Sequence, residues 1–305
     1  MNDKTPLYIL FTMDCEPVAT KGIAEGPQTW EISARAIEGF CYRLLSAGYP
    51  VTLFVSAPCA EEHTPLLEEL AEHGVELGLH VHPPSLDRGL YTRHLGAYNA
   101  AEQRTIIEAA SERFREALGS YPHSFRSGAF SANNATFQVL YELGFRQGSL
   151  SVPGRDVPRH AAAWAGAETE PHYVDPSDRL RAGRLPFLEL PVTSDAQRWY
   201  RRGFPYDLCI ENSTFEDWHR PLIEHHLERM ASDQVSFRTL CFVTRNHFAY
   251  YRDDDRHSTT VERLIGYFET LAEHYELAPV TLAGAHARFR AHTLLAEPAG
   301  GERSD

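Results

Sequence analysis

Short apolar runs alternate with amphipathic stretches along most of the chain. Residues 7–13, bounded by Pro6 and Asp14, are almost continuously apolar and predict a strand buried on both faces, as in a parallel sheet. Residues 33–47 have helical periodicity, 51–55 predict a second strand, 64–73 a helix ended by Gly74, and 75–80 a third strand. The alternation continues with a helix over 100–118 closed by Gly119, a short strand over 123–126, a helix over 134–143 closed by Gly144, and a strand over 145–150. Between Pro153 and Arg184 the pattern dissolves, which predicts an irregular insertion laid over one end of the sheet. Regular structure resumes with a strand over 187–192, a helix over 216–231, a strand over 239–244 and a helix over 260–274. A short strand or turn over 279–282 and a helix over 285–292 follow.

Strands that alternate with helices in this way imply an α/β fold. A mostly parallel sheet would be wound with helices outside, either closed as a barrel or doubly wound. The 305 residues are expected to form one domain over residues 1–295 with the insertion at 153–184, and a disordered tail at 296–305. The formal net charge of −13, from 29 basic and 42 acidic residues, opposes binding to nucleic acid or anionic membranes. The apolar stretch 7–11 is too short for a signal segment or a span, so the expectation is a cytoplasmic protein without membrane insertion. Five cysteines without C-x-x-C spacing predict reduced, buried thiols.

In such folds chemistry gathers where strands end at their carboxyl termini. Four such places carry suitable residues. At the end of the first strand, Asp14 and Glu16 share one face of an extended backbone while Cys15 turns away, so the two carboxylates can hold a cation or divide into base and ligand. At the third, His80 and His82 likewise share a side, a spacing suited to a Zn²⁺-like ion, and Pro83 and Pro84 oppose a helix that would separate them. Arg126 leaves the short strand that follows, where a fixed guanidinium can grip a carboxylate bidentately and lower its pKa. His247, beyond the apolar run 240–243, is placed to protonate a leaving amine. Each residue alone has an ordinary structural use as a cap or an ion pair. Their shared placement after four different strands makes the set informative.

In the order of these motifs the chain resembles the polysaccharide deacetylase (NodB-homology) family. Thr12-Met13-Asp14-Cys15-Glu16 stands at the family's first motif, and residues 75–80 match the context of its histidine motif. Phe125-Arg126-Ser127-Gly128 matches its arginine motif, and His247 its late histidine. The resemblance covers residues 7–250 and implies a deformed (β/α) barrel. It also implies one divalent metal ion, Zn²⁺ first and Co²⁺, Ni²⁺ or Mn²⁺ in the same donors, and hydrolysis of the acetamide of an N-acetylated sugar. The chain departs from the family in four places. Cys15 replaces the second aspartate, so Glu16 takes the ligand role and Asp14 that of base, or the reverse. Pro84 occupies the usual place of the second histidine, so His82 substitutes, with His94 as the alternative. The tyrosine near the arginine and the aspartate partner of the late histidine are missing. These gaps imply a divergent branch acting on a soluble or carrier-linked sugar.

Overall fold

The computed structural model describes residues 5–19 and 26–296. The first five strands are β1 (Leu7–Cys15), β2 (Val51–Ser56), β3 (Glu76–Val81), β4 (Ser124–Ser127) and β5 (Gln147–Gly148). A small antiparallel pair follows, β6 (Asp156–Val157) with β7 (Ala162–Ala163), then β8 (His172–Val174) and β9 (Leu185–Glu189). A hairpin of β10 (Ser194–Arg201) and β11 (Phe204–Asp207) precedes β12 (Arg238–Arg245) and β13 (Leu277–Pro279). The main sheet runs β12-β1-β2-β3-β4-β5-β9-β8, with β13 on the start of β1; every pairing is parallel except β8 with β9. The chain beyond β9 comes back to β12 without forming a ladder: Thr193 N donates to Cys241 O at 3.2 Å, and Val243 N to Leu208 O at 3.1 Å. The result is a curled, open mixed sheet, a half-barrel.

The period-two alternation of β1 divides the core. Leu7, Ile9, Phe11, Met13 and Cys15 face outward into a layer shared with two of the covering helices, Trp30–Ser46 and Arg256–Leu271. Phe11 stacks on Phe242 there at 4.9 Å. Leu10 faces inward and packs with Phe54, Leu188 and two residues of the last helix, Leu282 and Phe289. That helix (Leu282–Ala296) also seals the amino-terminal mouth of the sheet: Leu282 N donates to Thr52 Oγ1 at 3.1 Å and Ala283 N to Glu76 Oε2 at 2.8 Å.

The third periodic helix appears where the pattern put it, Ala100–Leu118, because its ends are written in the sequence. Asn99 and Glu102 form a reciprocal capping box, and Gly119 takes the left-handed φ of 75° that ends it. Other elements differ from expectation. A helix at Ala57–Glu62 begins with Pro58 in its first turn, where a proline costs no hydrogen bond, so it is an initiator rather than the breaker it resembles. The strand expected over 145–150 shrinks to Gln147–Gly148, and the hairpin β10–β11 was not foreshadowed by any alternation of apolar residues. Residues 153–184, expected to be irregular, contain β6, β7 and the edge strand β8, and bury Trp164 completely. The expected tail beyond Ala296 lies outside the described residues. No helix among them is long and apolar enough to cross a membrane.

His226, on the helix Arg220–Ser232, is 3% exposed. Burial, aided by the charge of Arg229, pushes its pKa down to about 3. The unfolded chain therefore takes up a proton below the usual imidazole pKa that the folded chain refuses, and stability is lost as pH falls through that range. Urea denaturation at pH 6 and pH 5 is expected to show the parent losing about 1 kcal/mol more than His226→Leu over that interval.

Candidate metal centre

Glu16 follows directly on β1, and its backbone is gripped from the neighbouring strand end. Asn246, one residue beyond β12, accepts from Glu16 N through Oδ1 at 2.9 Å and donates through Nδ2 to Glu16 O at 3.0 Å. The same Nδ2 donates to Ser33 Oγ at 2.8 Å, and Asn246 N donates to Asp14 O at 3.2 Å. An amide side chain suits this position because it offers an acceptor and donors side by side, matching a peptide edge. Asn246 escaped the sequence reading, which took its neighbour His247; its place at a strand end was the available signal.

The grip aims the Glu16 carboxylate at β3. His80 Nε2 lies 3.1 Å and His82 Nε2 2.9 Å from Glu16 Oε1, and the imidazole rings are 5.0 Å apart. Burial alone would raise the pKa of Glu16, but the two imidazoles outweigh it and hold the carboxyl well below its usual range. Burial likewise opposes charge on His80, yet the Glu16 and Asp14 carboxylates raise its pKa. Among the described residues these three form the one group of histidine, cysteine and acidic side chains able to hold a metal ion, with ligand atoms all within 4.8 Å of one another. Two imidazole nitrogens with one carboxylate oxygen is a set that Zn²⁺ and its neighbours accept.

His82 is extended and Pro83 opens the short helix Pro83–Leu86 behind it. No helix separates the two histidines, as expected; the prolines start one only after His82, which a proline at the first helical position allows. The His82 ring rests on Gly128: a Cβ there would lie 2.2 Å from ring atoms Cε1 and Nδ1. Ala129 and Phe130, next in line, both have positive φ, 55° and 57°, a conformation costly for such residues. Trp164, from the segment expected to be irregular, donates through Nε1 to Phe130 O at 2.8 Å and holds this turn beneath the histidine.

Arg126 is fully buried. Its Nη1 donates to Asp14 Oδ1 at 2.9 Å and Thr12 Oγ1 at 2.8 Å, while Nε and Nη2 reach Ser149 O and Oγ at 2.9 and 2.8 Å. The expected pairing with a carboxylate is present, but it is not bidentate, because Ser149 takes the other edge of the guanidinium. Cys15 turns away from the site, among buried thiols that include Cys41 and Cys59, and burial pushes its pKa well above the usual thiol value. His94, the alternative ligand, stands off with its ring 6.4 Å from His82 and 4.7 Å from His160. Burial, with those two histidines, pushes its pKa down to about 4. His247 leaves the same sheet end one residue after Asn246, half-buried, with its ring 4.2 Å from that of Phe248. Glu189, at the end of β9, also escaped the sequence reading. Its Oε1 accepts from Leu150 N, Ser151 N and Ser151 Oγ, and burial pushes its pKa up to about 7.

Comparison with known proteins agrees with this architecture. Residues 35–148 match the polysaccharide deacetylase family. No curated protein matches the chain in sequence. Among solved structures, a Mycobacterium smegmatis protein described as a polysaccharide deacetylase superposes with a TM-score of 0.63 at 16% identity, over 100% of this chain and 96% of that one. Puue allantoinase gives 0.64 at 15% identity, over 95% and 92%. A Pseudomonas aeruginosa PAO1 protein described as a polysaccharide deacetylase gives 0.63 at 13% identity, over 93% and 91%. The fold is the one these structures share.

Because a Cβ at position 128 would overlap the His82 ring and displace it, Gly128→Ala is expected to weaken Zn²⁺ binding by about tenfold or more, the size of loss that follows when a ligand's supporting contacts are disturbed. Titration calorimetry on parent and variant, with far-UV circular dichroism to confirm folding, checks this.

Proposed function

We propose that the chain is a metal-dependent N-deacetylase that hydrolyses the acetamide of an N-acetylated sugar, soluble or carrier-linked, to acetate and a free amine. The observation that carries this reading is the convergence of His80 and His82 on one oxygen of Glu16 beside the buried Asp14–Arg126 pair. Glu16, His80 and His82 would hold the ion, with Zn²⁺ the first choice and Co²⁺, Ni²⁺ or Mn²⁺ suited to the same donors. Such an ion polarises an amide carbonyl and acidifies water.

The protein's own groups divide the proton transfers. Asp14 keeps Oδ1 on Arg126, which leaves Oδ2 to take the proton from the water that attacks the acetamide carbonyl. The imidazoles on Glu16 and the guanidinium on Asp14 support this division between ligand and base over its reverse. His247, arriving at the same sheet end, donates a proton to the departing amine. The fold likeness to Puue allantoinase supports a second reading, a hydrolase of a ureide or another non-peptide C–N bond.

The test is to purify the protein without chelator, quantify metal by elemental analysis, and measure acetate release from a panel of N-acetylated sugars. One equivalent of metal is expected in the parent and none in His80→Ala or His82→Ala. Asp14→Asn is expected to keep the metal and lose acetate release by about 100-fold or more. An active parent without metal, or ureide hydrolysis with no acetate from any sugar, would overturn the deacetylase reading.

A further inference from the structure

The hairpin β10–β11 leaves the sheet at Thr193 and returns at Leu208, and both residues hydrogen-bond to β12. Val243, which bonds to Leu208, lies three residues before Asn246, the residue that grips Glu16. Three extended residues span about 10 Å, so the hairpin roots at the rim of the metal centre.

Its outer half stands apart from the rest of an acidic chain. Arg198, Trp199, Tyr200, Arg201 and Arg202 are consecutive and exposed, on a protein of net charge −13. Trp199 and Tyr200 are 47% and 40% exposed. The Tyr200 ring is braced by Trp218 at 5.0 Å, and Trp218 is pinned by its Nε1 to Asp207 O at 2.7 Å. Arg198 is paired with Asp195, whereas Arg201 lies 3.9 Å over the Phe204 ring; neither Arg201 nor Arg202 has a carboxylate partner among the described residues.

Rings open to solvent, one of them braced, stack well on the apolar faces of sugar rings, and an unpaired guanidinium grips a carboxylate through two parallel hydrogen bonds. An exposed run of rings and guanidiniums suits a chain of linked sugars, since a single small group needs a concave site. We propose that this hairpin binds an acidic glycan, an oligosaccharide containing uronic acid units, and that an N-acetylated unit of the same chain reaches the metal centre. The second half of this proposal rests on the deacetylase reading. Single-stranded nucleic acid meets the same pairing of arginine and aromatic rings, but it carries a charge on every unit where an alternating uronic acid chain carries one on every second sugar, so the net charge of −13 opposes it more strongly.

Titration calorimetry would compare a hexasaccharide of alternating glucuronate and N-acetylglucosamine with neutral chitohexaose. The proteins are the metal-loaded parent, Arg201→Gln/Arg202→Gln and Trp199→Ser/Tyr200→Ser, with far-UV circular dichroism confirming that each is folded. The parent is expected to bind the acidic probe about tenfold or more tighter. That preference should disappear in the arginine variant and shrink with added salt, and both probes should weaken in the aromatic variant. Equal binding of the two probes, binding of neither, tighter binding of an oligouridylate, or a parent dimer that separates in the aromatic variant without binding sugar would each overturn the proposal. Acetate release is read in parallel. Acidic preference without acetate from either probe upholds the glycan platform and sinks the deacetylase reading. Acetate released with no acidic preference does the opposite.

Discussion

The buried guanidinium of Arg126 is the constraint on which the rest of the site depends. It ties three strands together, bonding Thr12 and Asp14 of β1 and Ser149 just past β5 from its own place in β4. Phe54 of β2 lies against it, with its ring 4.2 Å from the guanidinium carbon. A charge so enclosed persists only because every edge of it is matched, and removing its one carboxylate partner would leave a cation stranded in the core at a cost of about 3–5 kcal/mol. The strand ends that carry Asp14, Glu16, His80 and His82 therefore hold their relative positions before any ligand arrives.

Around that anchor the carboxylates divide by their partners. Asp14 is committed to arginine and Glu16 to two imidazoles, so two acidic residues two positions apart live in different electrostatic settings. Asn246 makes this possible by fixing the peptide of Glu16 on both its N–H and C=O, which sends the carboxylate across the sheet to β3. The opposite side of the same strand end is given to thiols, with Cys15 facing away among other buried cysteines.

Much of this was legible in the sequence, because it follows from local rules. Alternation along an extended backbone put Asp14 and Glu16 on one face and His80 and His82 on another, and the apolar run of β1 announced a buried parallel strand. What stayed hidden depends on contacts distant in sequence. Nothing local says that Asn246 will clasp a peptide 230 residues away, that Ser149 will take one edge of Arg126, or that Trp164 will prop the turn beneath His82. The hairpin β10–β11 escaped for another reason. Its arginines and aromatic residues face solvent and show no apolar period, so the pattern that reveals buried strands has nothing to detect there.

The last helix also makes the two ends of the sheet unlike. Its first turn bonds to Thr52 and Glu76, and Leu282 and Phe289 fill the interior with Leu10 and Phe54. The half-barrel is thus a cup with a sealed base. The two mouths of the sheet do different work: one is spent on holding the strands together, which leaves the other, where the strands end, free to present side chains to whatever approaches.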